Sequence, residues 1–259
     1  MCGGREFVPN AAIAREGIEY AITKCTACRF VFVANPGTQT FHPVQEAPPG
    51  VPERARHRQI KRIFDHVIPH QARSDGPYRV VEVGAGWGGL AQVFSRDSRY
   101  RYVGLEPSAS RAAYCRARGF DVRQALFDEN DAARDADGVI FDNVLEHVEN
   151  PDALVRAAVA SLRQGGILVV IVPNLNDVRR FHRPWRERHY WQPHCHINYF
   201  CARDLGRLFG RHGLACRFFG LEAVGKTGDD IGLLPRVLAD KVGLHVLGLN
   251  CYGVKPGAG

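Results

Sequence analysis

Val80-Val81-Glu82-Val83-Gly84-Ala85-Gly86-Trp87-Gly88-Gly89 is the stretch on which the fold turns: an apolar run of strand character passes straight into a glycine turn that opens a helix. Glycine meets two needs there. The chain must turn tightly, in part at positive φ, and a ligand must approach the bare backbone. Such a turn suits a nucleotide. Read as Gly84-x-Gly86-x-x-Gly89, the glycines fit the dinucleotide fingerprint, and Glu106 stands about 20 residues on, where that fingerprint places its ribose-binding acid. Read as Glu82-x-Gly84-x-Gly86-x-Gly88, they follow a carboxylate set just ahead of the turn. The motif alone does not name the ligand.

A chain of 259 residues with 45% apolar content can bury one good core, with room for a small appendage. No segment has the ~18 consecutive apolar residues of a membrane span, and Met1-Cys2-Gly3-Gly4-Arg5-Glu6 lacks a signal-peptide core, so a cytoplasmic protein with no membrane partner is expected. The eight cysteines, Cys2, Cys25, Cys28, Cys115, Cys195, Cys201, Cys216 and Cys251, are dispersed through a chain too large and apolar to need a disulfide framework. They are expected as thiols or metal ligands. Lys and Arg exceed Asp and Glu by 34 to 27; the net charge of +7 fits an anionic partner without identifying it.

Residues 1 to about 50 are the least regular part and end in Pro43, Pro48, Pro49 and Pro52, which reads as a small module (1–50) and linker ahead of a main domain (51–259). From Glu53 to Ile68 the apolar Ile60, Ile63, Phe64, Val67 and Ile68 fall at helical spacing, with Arg54, Arg56, Arg58, Lys61 and Arg62 expected as a solvated basic face. Strand and helix then alternate: strand 79–83, helix 88–96, strand 102–106, helix 108–118, a short strand near Val122 and strand 138–141. Pro151–Arg163 reads as a helix stopped by Gly165-Gly166, and Ile167–Val172 as an all-apolar central strand. A helix over 204–212, a strand over 214–219, a helix around 233–242 and a strand around 250–254 close the chain. Alternation of this kind predicts a parallel sheet with helices on both faces.

Five segments in order carry a resemblance: the glycine turn; Tyr102-Val103-Gly104-Leu105-Glu106-Pro107; Phe141-Asp142-Asn143-Val144-Leu145-Glu146-His147-Val148-Glu149-Asn150-Pro151; Leu162-Arg163-Gln164-Gly165-Gly166-Ile167-Leu168; and His196-Ile197-Asn198-Tyr199-Phe200. Residues of about 78 to 255 resemble the class I S-adenosylmethionine (SAM) methyltransferases, in the small-molecule branch with a Leu-Glu-His-Val signature. The resemblance implies an α/β, Rossmann-like, doubly wound and mostly parallel seven-stranded sheet. Glu82 separates SAM from a dinucleotide, since a carboxylate two residues before the first glycine repels a pyrophosphate and suits the ammonium of a methionyl group.

Carried over residue by residue, the resemblance sets Gly84, Gly86 and Gly88 against the methionyl part, with Glu82 near its ammonium through water. Glu106 would accept from both ribose hydroxyls; the plainer role for it is a carboxylate at a helix N-terminus. Where related enzymes often carry an acid for the adenine amine, this chain has Gln124-Ala125-Leu126-Phe127. Asn143 and the pair Glu146-His147 would sit beside the methyl group. His147 is the first candidate for a general base, since an imidazole accepts a hydroxyl proton at neutral pH; its plainer role is to cap a neighbouring loop. Quinone-precursor O-methyltransferases use a Glu-x-x-Glu-His set associated with a divalent metal; Asn143 replaces the first acid here, so no required metal is expected there.

Phe181–His196 holds two tryptophans, four histidines and three arginines in sixteen residues, and it follows the central strand, where loops over the crevice take the acceptor. Aromatic faces there suit a sulfonium or a ring, and Arg179, Arg180, Arg183, Arg186 and Arg188 suit a phosphate or carboxylate; the plain alternative is a packed surface lid. His194-x-His196 has the look of a metal pair without further ligands at fixed spacing, so both are taken as candidates for proton transfer or acceptor binding. Cys25-Thr26-Ala27-Cys28 resembles the second knuckle of a small zinc ribbon and Cys2-Gly3 the end of the first, which implies a structural zinc on Cys2, Cys25 and Cys28 with His42 a candidate fourth ligand. The expected activity is methyl transfer from SAM to a hydroxyl, or to a carbon, of a small polar acceptor such as a sugar or secondary metabolite, anionic in one form. The alternatives are an RNA methyltransferase, disfavoured because no RNA-binding module is recognisable, an NAD-dependent oxidoreductase, disfavoured by Glu82, and a non-catalytic SAM-binding scaffold.

Overall fold

The computed structural model describes residues 2–15, 17–37, 47–48, 50–68, 76–127, 134–182, 186–219 and 248–257. The expected helix around 233–242, His42, Arg183 and Trp185 lie outside them. Among the described residues no helix is long and apolar enough to cross a membrane.

Seven strands form the main sheet: β4 (Tyr78–Val83), β5 (Tyr100–Leu105), β6 (Val122–Arg123), β7 (Ala136–Asp142), β8 (Leu162–Val172), β10 (Arg217–Phe218) and β11 (Leu249–Val254). Their order is β10-β11-β8-β7-β4-β5-β6, parallel throughout except for β11, which runs against both its neighbours. The expected α/β sheet is therefore present. Its strands read as unbroken apolar runs because both faces are covered. Val80, Ile140, Val169 and Ile171 meet α1 (Ala55–Val67) and α2 (Gly89–Phe94) on one side; Val81, Val139, Leu168 and Val170 meet α4 (Pro151–Ser161) and α5 (Ala202–Arg211) on the other. Helix α3 (Ala109–Arg116) follows β5.

The apolar spacing of α1 buries Ile60 and Phe64 completely. Phe64 meets Phe94 edge-on, with ring centroids 5.3 Å apart. It enters a hollow over Gly138, where a Cβ would lie 2.0 Å from its Cε1, so the absent side chain sets how deeply the helix sits on the sheet. Asn150 caps α4, its side chain accepting from the Ala153 N–H at 3.0 Å, with Pro151 in the first turn. The helix stops at Ser161 rather than at Gly165-Gly166: Leu162 is already extended at ψ 139° and pairs with Ala136, so those glycines lie within the irregular start of β8.

The N-terminal region is more regular than its sequence. It forms β1 (Phe7–Arg15), β2 (Ile18–Cys25) and β3 (Val31–Val33), an antiparallel meander joined at its far edge by β9 (Asn198–Tyr199). Its small core is Tyr20, Ile22, Val31, Val33, Ile197 and Tyr199. Alternation is faint in β1 because the strand is largely exposed, which left it looking irregular.

Phe64→Ala should lower the stability of the fold by about 3–5 kcal/mol, since it empties the hollow under α1. Denaturant unfolding followed by far-UV circular dichroism measures this.

Candidate active site

Two cavities open at the carboxyl ends of the strands, on either side of Asn143 and Arg56, which line both. The larger, about 610 Å³, is walled by the glycine turn, Glu82, Glu106, Ala125–Phe127, Asp142, His147 and the start of α1. The smaller, about 410 Å³, lies under the segment after β8 and is lined by Asn174, Asp177, Arg179, His189, Tyr190, His196, Tyr199 and Asn250, among others.

In the larger cavity Gly86 has φ 54° and an open space where a Cβ would stand, so the bare backbone faces the hollow. Gly84 and Trp87 line it too, while Gly88 does not: it is the N-cap of α2, packed near Cys115 and Phe120. Gly89 answers a close approach of another kind, as a Cβ there would fall 2.1 Å from His57 Cε1.

Glu82 is buried at the end of β4, and its carboxylate accepts the Tyr102 hydroxyl from β5. Burial pushes its carboxyl up to about 8 against the opposing pull of that bond. Glu106 is buried as well. One oxygen accepts from Gly86 N–H at 2.8 Å and the other from Ser108 N–H at 2.9 Å, so it ties the glycine turn to the entrance of α3 while still lining the cavity.

The sequence reading missed the contribution of α1. Arg56, taken as part of a solvated face, turns inward: its Nε donates to Asp142 at 2.9 Å. Arg58 and Arg62 are exposed, Arg58 meeting Glu53 at 2.6 Å, while Lys61 is largely covered, its ammonium held by Asp65 at 2.9 Å and Asp97 at 2.7 Å. Beside Arg56, burial and the neighbouring Arg56 and Arg54 hold His57 down to about 3. It is neutral, with Nδ1 accepting from Arg54 N–H at 3.1 Å. Asp142 is pushed up by burial and pulled back by Arg56. The available signal was the phase of α1: Arg56 and His57 lie at the helix end nearest the strand ends, next to Ile60 and Phe64 on the buried side.

Leu145–His147 forms a single 3₁₀ turn, with Glu146 buried and His147 at the cavity wall. His147 Nδ1 donates to the Cys195 carbonyl at 2.7 Å; since a carbonyl only accepts, Nδ1 carries the proton and Nε2 the lone pair. The His147 ring meets the His196 ring edge-on, centroids 4.8 Å apart, so one histidine faces each cavity. Among the described residues neither carboxylate oxygen of Glu146 reaches a hydrogen-bond partner, and Oε1 lies 3.9 Å from His147 Nε2. Burial pushes its carboxyl up to about 8. His194 lines neither cavity.

In the smaller cavity Arg179 is held by Asp177 in a two-pronged pair, at 3.0 Å and 2.7 Å. Arg180 instead donates to the Leu175 carbonyl at 3.0 Å. Outside the linings of both cavities Cys2, Cys25 and Cys28 converge, with Cys2 Sγ 3.5 Å from Cys25 Sγ and Gly4 N–H donating to Cys2 Sγ at 3.3 Å.

Residues 53–217 match the family described as a methyltransferase domain. No curated protein matches the chain. Among solved structures it is similar to a SAM-dependent methyltransferase from Archaeoglobus fulgidus, at 16% identity over 77% of this chain and 94% of that one, with a TM-score of 0.51. The plantazolicin methyltransferase BamL, solved with a triazolic desmethylPZN analog and SAH, aligns at 15% identity over 77% and 84% of the two chains, TM-score 0.56. The cyclase SpnF aligns at 18% identity over 78% and 82%, TM-score 0.51. Likeness at these identities carries the fold, and a cyclase among the neighbours illustrates that the fold does not fix the reaction. With more than half of its length matched, the chain belongs to the methyltransferase domain family.

Proposed function

We propose that this protein transfers a methyl group from SAM to a hydroxyl of a small polar acceptor. The observation that carries this reading is the pair of cavities meeting over Asn143, one walled by a glycine turn and two buried carboxyls, the other bearing polar side chains such as Asn174, Asp177, His196 and Asn250. SAM fits the first. Its amino-acid end would lie along Gly84–Gly86 with the ammonium toward Glu82, its ribose hydroxyls would donate to Glu106, and its base would rest on the apolar wall of Ala125, Leu126 and Phe127. The acceptor would occupy the second. Its oxygen attacks the methyl carbon in line, the carbon–sulfur bond breaks with its electrons going to sulfur, and the hydroxyl proton passes to His147 Nε2, while His196 orients the acceptor.

Both arginines that line the acceptor cavity already hold carboxylates, Arg56 on Asp142 and Arg179 on Asp177. This favours a neutral, hydroxylated acceptor over an anionic one. We also assign residues 1–50 to a zinc-bearing module appended to the methyltransferase region 51–259, with zinc on Cys2, Cys25 and Cys28; three converging thiols and an amide donor to sulfur fit such an ion.

Titration calorimetry with S-adenosylhomocysteine tests the reading: binding is expected, and its absence at millimolar ligand would overturn it. Glu106→Ala should weaken that binding by roughly 100-fold, the effect of losing two charge-assisted hydrogen bonds. A bound ammonium favours ionised Glu82, whose carboxyl stands at about 8, so binding below that pH releases a proton and affinity falls as the solution is acidified. Calorimetry in two buffers of different ionisation enthalpy measures the release, which Glu82→Gln should abolish.

A further inference from the structure

The wall between the two cavities carries more ligating atoms than proton transfer needs. One ring nitrogen of His147, one of His196 and the thiol of Cys195 all lie within 4.8 Å of one another. These residues come from separate segments, the 3₁₀ turn after β7 and the loop before β9, which the backbone holds together: Ile197 N–H donates to the Glu146 carbonyl at 2.8 Å. Cys195 is buried yet lines the larger cavity together with His147, and His196 lines the smaller one, so the cluster is reachable from both.

We propose that His147, Cys195 and His196 form a binding site for a thiophilic divalent ion of the zinc class, with Glu146 as the adjoining carboxylate. Three features support it. The donor set of two imidazoles and one thiol is the kind zinc takes, and zinc bonds of about 2.0–2.3 Å in a tetrahedron hold donors about 3.5 Å apart, a contraction within reach of side-chain rotation. His147 already donates its other ring N–H to a backbone carbonyl, the outer contact that fixes a metal-ligating imidazole with its lone pair outward. Glu146 is 1% exposed, and its carboxylate oxygens have no hydrogen-bond partner among the described residues, so it is a buried acid beside His147 that a cation would satisfy. The set differs from a Glu-x-x-Glu-His arrangement, because two of its ligands come from the loop beyond β8 and one of them is sulfur.

The consequence rests on the methyl-transfer reading: an ion here takes up the lone pair of His147 Nε2, so the metal-loaded protein cannot accept the hydroxyl proton at that atom. The ion would act as a brake on the reaction.

Cobalt(II) is the probe, since a thiolate ligand gives it a charge-transfer band in the near ultraviolet. The Cys25→Ser/Cys28→Ser chain removes two of the three thiols of the N-terminal cluster and leaves Cys2 alone there; it should bind one equivalent of cobalt with that band. Adding Cys195→Ser should abolish the band, and Glu146→Gln should weaken binding by about tenfold. No cobalt bound by the double variant, or a band indifferent to Cys195→Ser, overturns the proposal. Should the double variant fail to fold, metal content of the otherwise intact chain decides: Cys195→Ser must lose one equivalent of zinc, and an unchanged content sinks the site. S-adenosylhomocysteine titration of the same samples separates the two claims, as absent cobalt binding with intact nucleoside binding leaves methyl transfer standing, and the reverse pattern removes only the latter.

Discussion

The reversal of strand order at β4 is the constraint from which the rest of this molecule follows. β5 and β6 lie on one side of that strand, β7 and β8 on the other, so the chain leaving β4 and the chain leaving β7 diverge and a crevice opens above their ends. Four acids with covered side chains gather there: Glu82 at the end of β4, Glu106 just past β5, Asp142 at the end of β7 and Glu146 in the turn beyond it. Carboxyls so placed are poor contributors to stability, since burial disfavours their charge. Their retention in a core otherwise built from Val, Ile, Leu and Phe fits a site that awaits a cation.

Helix α1 closes this crevice from the side, and its depth is a packing matter. Phe64 seats over Gly138, Gly89 leaves room for His57, and Arg56 is thereby carried to the point where both cavities meet. One face of a thirteen-residue helix thus joins the core to the site, while Arg58 forms a surface pair with Glu53 and Lys61 bridges Asp65 and Asp97.

Much of this was legible in the sequence. The glycine turn, the apolar runs of β4, β7 and β8 and the acid after β5 are local signals, and local periodicity is what a single sequence carries best. Helix ends were less so: α4 stops before Gly165 because Leu162 finds a strand partner in Ala136, a long-range fact. The inward turn of Arg56 was missed because a basic residue beside other basic residues reads as surface, and only the carboxylate of Asp142, 86 positions away, reverses that. His194 and His196 look equivalent in sequence, yet only His196 lines a cavity. The N-terminal meander escaped notice because its exposed edge strand has little apolar alternation and its fourth strand is borrowed from residue 198 onward.

That borrowed strand makes the family boundary at residue 53 a poor place to cut. β9 hydrogen-bonds to β3 just after His196, and Tyr199 lines the smaller cavity while packing with Ile22 and Val31. Excision of the first fifty residues as a dispensable tag would leave β9 as a raw edge and strip the backing from one wall of the pocket. The N-terminal strands and the main sheet are thus one mechanical object, in which a change at Val31 or Ile22 reaches the smaller cavity through Tyr199.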